Sequence, residues 1–295
     1  MNAAAEAGAS PAAPQARPLD VDWIHGSPAP KYNTDPDIQV YAYDENTVIL
    51  RQNIAVSFEA PFMFLLFGRS SALLLDTGAT DSAKFFPLRR TVDALIDTWC
   101  SDHDHTDPYG LLVLHTHSHQ DHTAADGQFA DRADTLVVSA LQANAWPHFG
   151  FDEAPDAVVE VDLGGRVLEA LATPGHHEAA VTFYDRTTGI LLTGDTVYPG
   201  RLYVFDWPAF DHSMDRLIEF CATRPVTHVL GCHIEMSTTP GVDFPVGFSY
   251  HPNELPLELT TEHLHRIRAT LDDHGRRPGR YVLPELIIYP VESPE

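Results

Sequence analysis

Cysteine is scarce: Cys100, Cys221 and Cys232 are the only three in 295 residues, and none has Cys-x-x-Cys spacing. No disulfide framework follows from an odd, scattered set, and a reducing cytoplasm is the expected compartment. Lysine is scarcer still, at Lys31 and Lys84 only, the other cations being arginine. Against 18 Lys plus Arg stand 42 Asp plus Glu, a formal net charge of −24. Nucleic acid is therefore not an expected partner, because binding a polyanion rests on many phosphate-to-cation contacts. Long apolar runs are missing as well. The best, Pro61 to Phe67, is strand-sized, far short of the roughly 18 residues a membrane helix needs, so no membrane anchor is expected. Met1 to Asp20 has Arg17 as its only cation and lacks a hydrophobic core, so no secretory signal is expected there. What remains is an ordinary globular composition, 44% hydrophobic and 20% charged.

Residues 1–35 read as a flexible Ala/Pro-rich N-terminal arm, too aperiodic to pack. Residues 36–295 read as a single domain. Short β-branched and aromatic runs, "IQVYAY", "TVIL", "IAVSF", "FMFLLF" and "ALLLD", suggest successive strands up to Asp76. A helix follows, with Val92, Leu95 and Ile96 on one face and Pro87 limiting its start. Further strands are expected from Leu111, Thr135, Ala157, Val167, Ala179, Gly189 and Thr227. Helices are expected at Ala140 to Trp146, Met214 to Thr223 and Leu259 to His274, with a last strand beyond. Strands, a helix, more strands and a terminal helix suggest packed sheets with helices outside. Residues 241–258 are Pro-rich and too irregular for regular structure, and their aromatics Phe244, Phe248 and Tyr250 suggest packing over a pocket.

The chemistry sits in "LLVLHTHSHQDHTAADGQF". An apolar strand ends, and the next loop presents His117, His119, Asp121 and His122, four imidazole or carboxylate donors within six residues. Such donors suit Zn²⁺ and similar borderline cations. Other candidates lie at other strand ends: His176 and His177 in a Pro-Gly turn, Asp195 after "ILLTG", and His233 after "HVLGC". Alone each is weak; together they supply a third ligand for each of two metals and a carboxylate to bridge them.

The series HxHxDH, PGH, GD and GxH, in this order from "LLLDTGA" at Asp76 to His233, resembles the metallo-β-lactamase superfamily of binuclear metallohydrolases. The resemblance implies an α/β fold, an αββα sandwich of two mixed β-sheets flanked by helices. It implies two divalent metal ions, zinc foremost with iron or manganese compatible. His117, His119 and His176 would hold the first, Asp121, His122 and His233 the second, and Asp195 would bridge. Asp76 would support the ligands from behind. The bridging Asp195 favours the glyoxalase II and lactonase branches, hence hydrolysis of an ester, lactone or thioester of a small molecule by a hydroxide that the metals share. Asp121 would orient that hydroxide and Tyr198 would donate to the carbonyl or leaving oxygen. Arg201 and Tyr203 fall where glyoxalase II contacts its anionic thiol carrier, while the terminal segment departs from that family's basic terminal helices. His251, in the irregular loop, is a further substrate-contact candidate, and His177 has no assigned role. A β-lactamase-like amidase, a mono-iron sulfur dioxygenase and a non-catalytic metal-binding protein remain open, as does a homo-oligomer.

Overall fold

Strict alternation builds the two central sheets of this chain, whose computed structural model describes residues 13–105 and 107–291. In β4 (Ser71–Leu75) the side chains of Leu73 and Leu75 enter one core and those of Ala72 and Leu74 another, as the two-residue period of a strand requires. The first sheet has the order β1 (Ile38–Asp44), β2 (Thr47–Gln52), β3 (Phe62–Phe67), β4, β5 (Gly110–Leu114), β6 (Thr135–Val137). Its first four strands are antiparallel neighbours and its last two pairings are parallel, so it is mixed.

The second sheet runs β13 (Glu258–Leu259), β12 (His228–Gly231), β10 (Ile190–Gly194), β9 (Val181–Asp185), β8 (Val167–Ala172), β7 (Val158–Asp162), with only β10 and β12 parallel. Leu66, Leu75 and Leu114 from the first sheet meet Leu168, Phe183 and Leu192 from the second in the central core. Helix α1 (Leu88–Asp102) covers the outside of the first sheet with Leu88, Val92, Ile96 and Trp99. Helices α4 (Trp207–Ala222) and α5 (Thr261–Asp273) cover the outside of the second. Two short helices, α2 (Gln120–Thr123) and α3 (Gln142–Phe149), lie in connections. The expected αββα sandwich of two mixed sheets is what forms.

Several expectations are corrected. The expected strand "IAVSF" is a turn: the Asn53 side chain accepts from Ala55 N at 2.8 Å and its carbonyl accepts from Val56 N at 2.9 Å, which bends the backbone out of the sheet. Helix α4 begins seven residues earlier than Met214, because the Asp206 carboxylate caps Ala209 N at 3.0 Å and Pro208 suits a first turn. A third sheet, with β11 (Arg201–Val204), β15 (Ile287–Pro290) and β14 (Tyr281–Val282) in that order, was not foreseen. The arm is shorter than expected: Leu19 and Trp23 are buried in the central core, Trp23 edge-on to Phe62 with centroids 4.8 Å apart. Of the arm, residues 1–12 lie outside the described residues.

The Pro-rich stretch is irregular but anchored. Gly26 bridges to Tyr250, Met236 to Asp243 and Ser237 to Glu254. Beneath it Arg51, only 1% exposed in its side chain, grips Glu254 through two bonds of 2.6 and 2.7 Å. Burial opposes the Glu254 charge, but Arg51 outweighs it and holds the carboxyl below its ordinary 4.5. A depressed carboxyl stabilises the fold above its unfolded value and loses that contribution as pH falls through the native one. Glu254→Gln is therefore expected to cost about 3–5 kcal/mol at about pH 7. In urea titrations the gap to the unmodified chain should narrow toward about pH 3. A gap independent of pH would remove the charge pair from this account.

Candidate metal centre

Four strand ends and one loop meet at the same edge of the sandwich. Asp76 follows β4, the His117–His122 loop follows β5, His176 follows β8, Asp195 follows β10 and His233 follows β12. Asp76 is fully buried at φ 65°, a left-handed conformation costly for a residue with a Cβ. Its carboxylate holds the conformation in place: Oδ1 accepts from Thr116 N at 2.8 Å and Oδ2 from Thr116 Oγ1 at 2.9 Å.

Two donor clusters result. In one, His119 Nδ1 lies 2.9 Å from His117 Nε2 and 3.0 Å from His176 Nε2. In the other, His233 Nε2 lies 3.3 Å from Asp121 Oδ2, 3.4 Å from Asp195 Oδ1 and 3.4 Å from His122 Nε2. Asp195 belongs to both. Its Oδ1 faces His122 and His233, and its Oδ2 is 3.6 Å from His176 Nε2. The donor atoms of His117, His119 and His176 lie within 4.8 Å of one another, as do those of Asp121, His122, Asp195 and His233.

Outer ring nitrogens fix which way four of the five imidazoles point. His176 Nδ1 donates to the Tyr203 carbonyl at 2.9 Å and His233 Nδ1 to the Glu59 carbonyl at 2.8 Å. His122 Nδ1 is 2.9 Å from Asp76 Oδ2, and His117 Nδ1 is 3.2 Å from Thr116 Oγ1. With Nδ1 engaged outward, Nε2 turns a lone pair inward, as metal-ligating imidazoles do. Three inward nitrogens cannot satisfy one another, since one N–H serves only one lone pair. Asp195 Oδ1 is buried without any hydrogen-bond partner. Both observations fit cations at these two points, and the all-N/O donor set suits zinc, iron or manganese.

The electrostatics of the two clusters differ. Burial, reinforced by neighbouring imidazoles, holds His117 well below the ordinary 6.5 and lowers His119; burial also lowers His176, against the pull of Asp195. Burial opposes charge on His233 too, but Asp195 and Asp121 outweigh it and push it up to about 10. His122 rises for the same reason, with Asp121, Asp195 and Asp76 around it. Burial would raise Asp121 and Asp195, yet the adjacent histidines hold both below the ordinary carboxylate range. Burial thus works against protonation of the nitrogens in one cluster, while in the other carboxylates and imidazoles favour each other's charged forms.

The seven expected ligand residues and Asp76 come together. The expected substrate residues do not all reach the centre. Tyr198 is 2% exposed; its ring packs 5.6 Å from the His233 ring and its hydroxyl donates to the Arg201 carbonyl, because a Pro199–Gly200 turn folds the chain back over it. Arg201 is consumed by Glu235 at 2.6 Å, Asp243 at 2.8 Å and the Phe244 carbonyl at 2.7 Å, so it is not a free anion hook. The Tyr203 hydroxyl accepts from Arg201 Nε at 2.9 Å, and it is the main chain of Tyr203 that serves the centre. His251 sits 7% exposed under the anchored stretch, stacked on Phe244 with centroids 4.3 Å apart, and lines a small cavity with Glu59, Arg201 and Glu235. His177 accepts from Ala179 N at 3.0 Å and its Nε2 is 3.0 Å from Ser118 Oγ, tying two loops together. His115 is spent on the Val138 carbonyl and Asp126.

Sequence reading missed Glu59. Its carbonyl aims His233, and burial raises its carboxyl, with His233 opposing and Asp121 adding to the rise. A main-chain contact leaves no signal in residue type, so nothing in "SFEAP" announces it.

A sandwich with a paired His/Asp centre at the strand ends defines a class of metalloproteins. The Metallo-beta-lactamase superfamily profile matches residues 57–233, and the chain belongs to that superfamily. A hydroxyacylglutathione hydrolase of Chelativorans sp. (strain BNC1) is 30% identical over 177 residues, 59% of this chain and 63% of that protein. The acyl-coenzyme A thioesterase MBLAC2 of Gallus gallus is 27% identical over 167 residues, 45% of this chain and 60% of that protein. The chain thus spans less than two thirds of the length of these curated relatives. Among solved structures, metallo-beta-lactamase FIM-1 from Pseudomonas aeruginosa superposes with a TM-score of 0.52 at 14% identity, covering 83% of this chain and 99% of that one. That likeness is one of fold.

The turn before His176 depends on one glycine. Gly175 has φ +143°, and a Cβ there would lie 2.6 Å from the Phe210 Cα. Gly175→Ala is expected to cost about 2 kcal/mol or more, from overpacking and backbone strain together. A thermal melt should show a midpoint several degrees lower; an unchanged midpoint would mean the turn relaxes freely.

Proposed function

We propose that this chain is a binuclear metallohydrolase that cleaves an ester, lactone or thioester bond of a small molecule. His117, His119 and His176 would hold one cation and Asp121, His122 and His233 a second, with Asp195 available to both. The supporting observation is the division of the Asp195 carboxylate, one oxygen toward each imidazole cluster, with Oδ1 buried and otherwise unpartnered. Zinc is the proposed metal on donor chemistry. The proposed compartment is the cytoplasm, in keeping with three free cysteines. Among the described residues no helix is long and apolar enough to cross a membrane.

A pair of bound divalent cations supplies a water of pKa near about 7 and an electrophile for a carbonyl oxygen. The chain does the rest. The Asp121 side chain is 21% exposed, more open than Asp195 at 8%, and would orient the attacking water. Tyr203 and Glu59 carbonyls keep His176 and His233 from turning. Phe205, 48% exposed with its centroid 5.8 Å from that of His176, gives an acyl group an apolar flank. Tyr198 takes no part in proton transfer, because burial keeps its phenol well above 10 and its proton faces Arg201.

The test pairs elemental analysis with a panel of lactones, thioesters, esters, β-lactams and phosphodiesters. Two metal equivalents per chain and turnover of an acyl substrate are expected. Removing metal with a chelator should abolish turnover and zinc should restore it. Asp195→Ala should lower both metal content and kcat, the latter by about 100-fold or more. Full metal content and turnover in Asp195→Ala would refute the bridged centre.

A further inference from the structure

His119 differs from the other donor imidazoles: among the described residues no hydrogen bond reaches its outer nitrogen, Nε2. Its Nδ1 faces inward, 2.9 Å from His117 Nε2 and 3.0 Å from His176 Nε2. The backbone beneath it is tied down, since the His119 carbonyl accepts from His122 N at 3.0 Å and from Thr123 Oγ1 at 3.2 Å. Those bonds do not stop the ring from turning about its own side-chain bonds. The neighbour that limits it is His177, whose ring meets the His119 ring edge to face, at 87° with centroids 4.9 Å apart. Such packing favours one mutual orientation. Phe205, the other ring from outside the donor set, is farther away at 6.3 Å.

The His177 ring is itself held at both nitrogens. A backbone N–H can only donate, so the bond from Ala179 N at 3.0 Å assigns the lone pair to Nδ1 and leaves the proton of the ring on Nε2. Nε2 therefore donates to Ser118 Oγ, 3.0 Å away. This direction excludes a serine nucleophile, because His177 then has no lone pair with which to take the Ser118 proton. Ser118 stands between His117 and His119 in the chain, and His177 follows His176, so the bond joins the donor loop to the donor turn. Val181 N donates to the Thr116 carbonyl at 2.8 Å and joins the same two segments nearer their bases. The Ser118 bond joins them beside the donors.

We propose that His177 is a positioning residue for the three-histidine site: held by Ser118 and Ala179, its ring walls His119 so that Nδ1 stays aimed inward. The donor rings it meets, His119 and, at 5.6 Å, His117, both belong to that site. Its effect therefore falls on one cation of the pair. The inference rests on the binuclear reading above and deepens it.

The two zinc dissociation constants, read by competition with a chromogenic chelator, provide the test. The constant of the three-histidine site is the one that survives in His233→Ala. His177→Asn removes the ring and the bond to Ser118, while its Oδ1 can still accept from Ala179 N, as asparagine does two residues ahead of itself in turns. It should weaken the three-histidine site by about tenfold or more and leave the other within about twofold. Ser118→Ala frees the His177 ring without removing a donor, and it should weaken the same site. The double variant should lose no more than His177→Asn alone, because both changes act through one contact. The metal-free melting midpoint of His177→Asn should match that of the unmodified chain; a merely structural role would lower it and weaken both sites together. If His177→Asn does not fold, Ser118→Ala decides alone, by the same selective weakening. Unchanged constants, equal weakening of both sites, or losses that add in the double variant would overturn the role of His177 and leave the binuclear reading standing. Fewer than two zinc equivalents in the unmodified chain would sink that reading, and this inference with it.

Discussion

Convergence of inward lone pairs and carboxylate charge at one edge of the sandwich is the constraint that organises this molecule. Left to themselves, His117, His119 and His176 would repel across 3 Å, and Asp121 beside Asp195 would repel as well. Such an arrangement persists only where positive charge lies between the groups and the framework holds them against relaxation. Every contributor therefore sits at the end of a buried strand or in a loop pinned at both ends. The cost of assembly is borne by the central core, where side chains of both sheets interlock.

The same logic explains the polar contacts behind the centre. Asp76 sits in a strained conformation because it is the hub between Thr116, His122 and the Cys232 thiol, which donates to it at 3.3 Å. A thiol next to the donor set is thereby a hydrogen-bond donor, and burial pushes its pKa upward rather than toward the thiolate. On the opposite side, Arg51 and Arg201 clamp the stretch from Glu235 to Glu254 over the cavity. These arginines spend their charge on architecture, which in a chain of net charge −24 leaves little for attracting anions.

Much of this was readable from the sequence, for physical reasons. The sandwich strands alternate or run fully apolar, so their positions and class show in the pattern; β3, buried at all six residues, is the clearest. The donor loop is readable because imidazole and carboxylate are rare so close together. The third sheet was not, since β11 and β14 are two to four residues long and take their pairing from distant segments. The fate of Tyr198 and Arg201 was also hidden. Both carry residue types suited to substrate contact, but a tight turn and two acids from later in the chain decide where their polar atoms go. Burial of Leu19 and Trp23 likewise depends on a groove that only the folded sheets create.

Two of the five donor histidines are aimed by carbonyl oxygens of the backbone, at positions 59 and 203, and not by side chains. Any residue carries that oxygen. The identities of Glu59 and Tyr203 are accordingly uncoupled from the geometry behind them, and a side-chain change at either position leaves in place the oxygen that orients the ring.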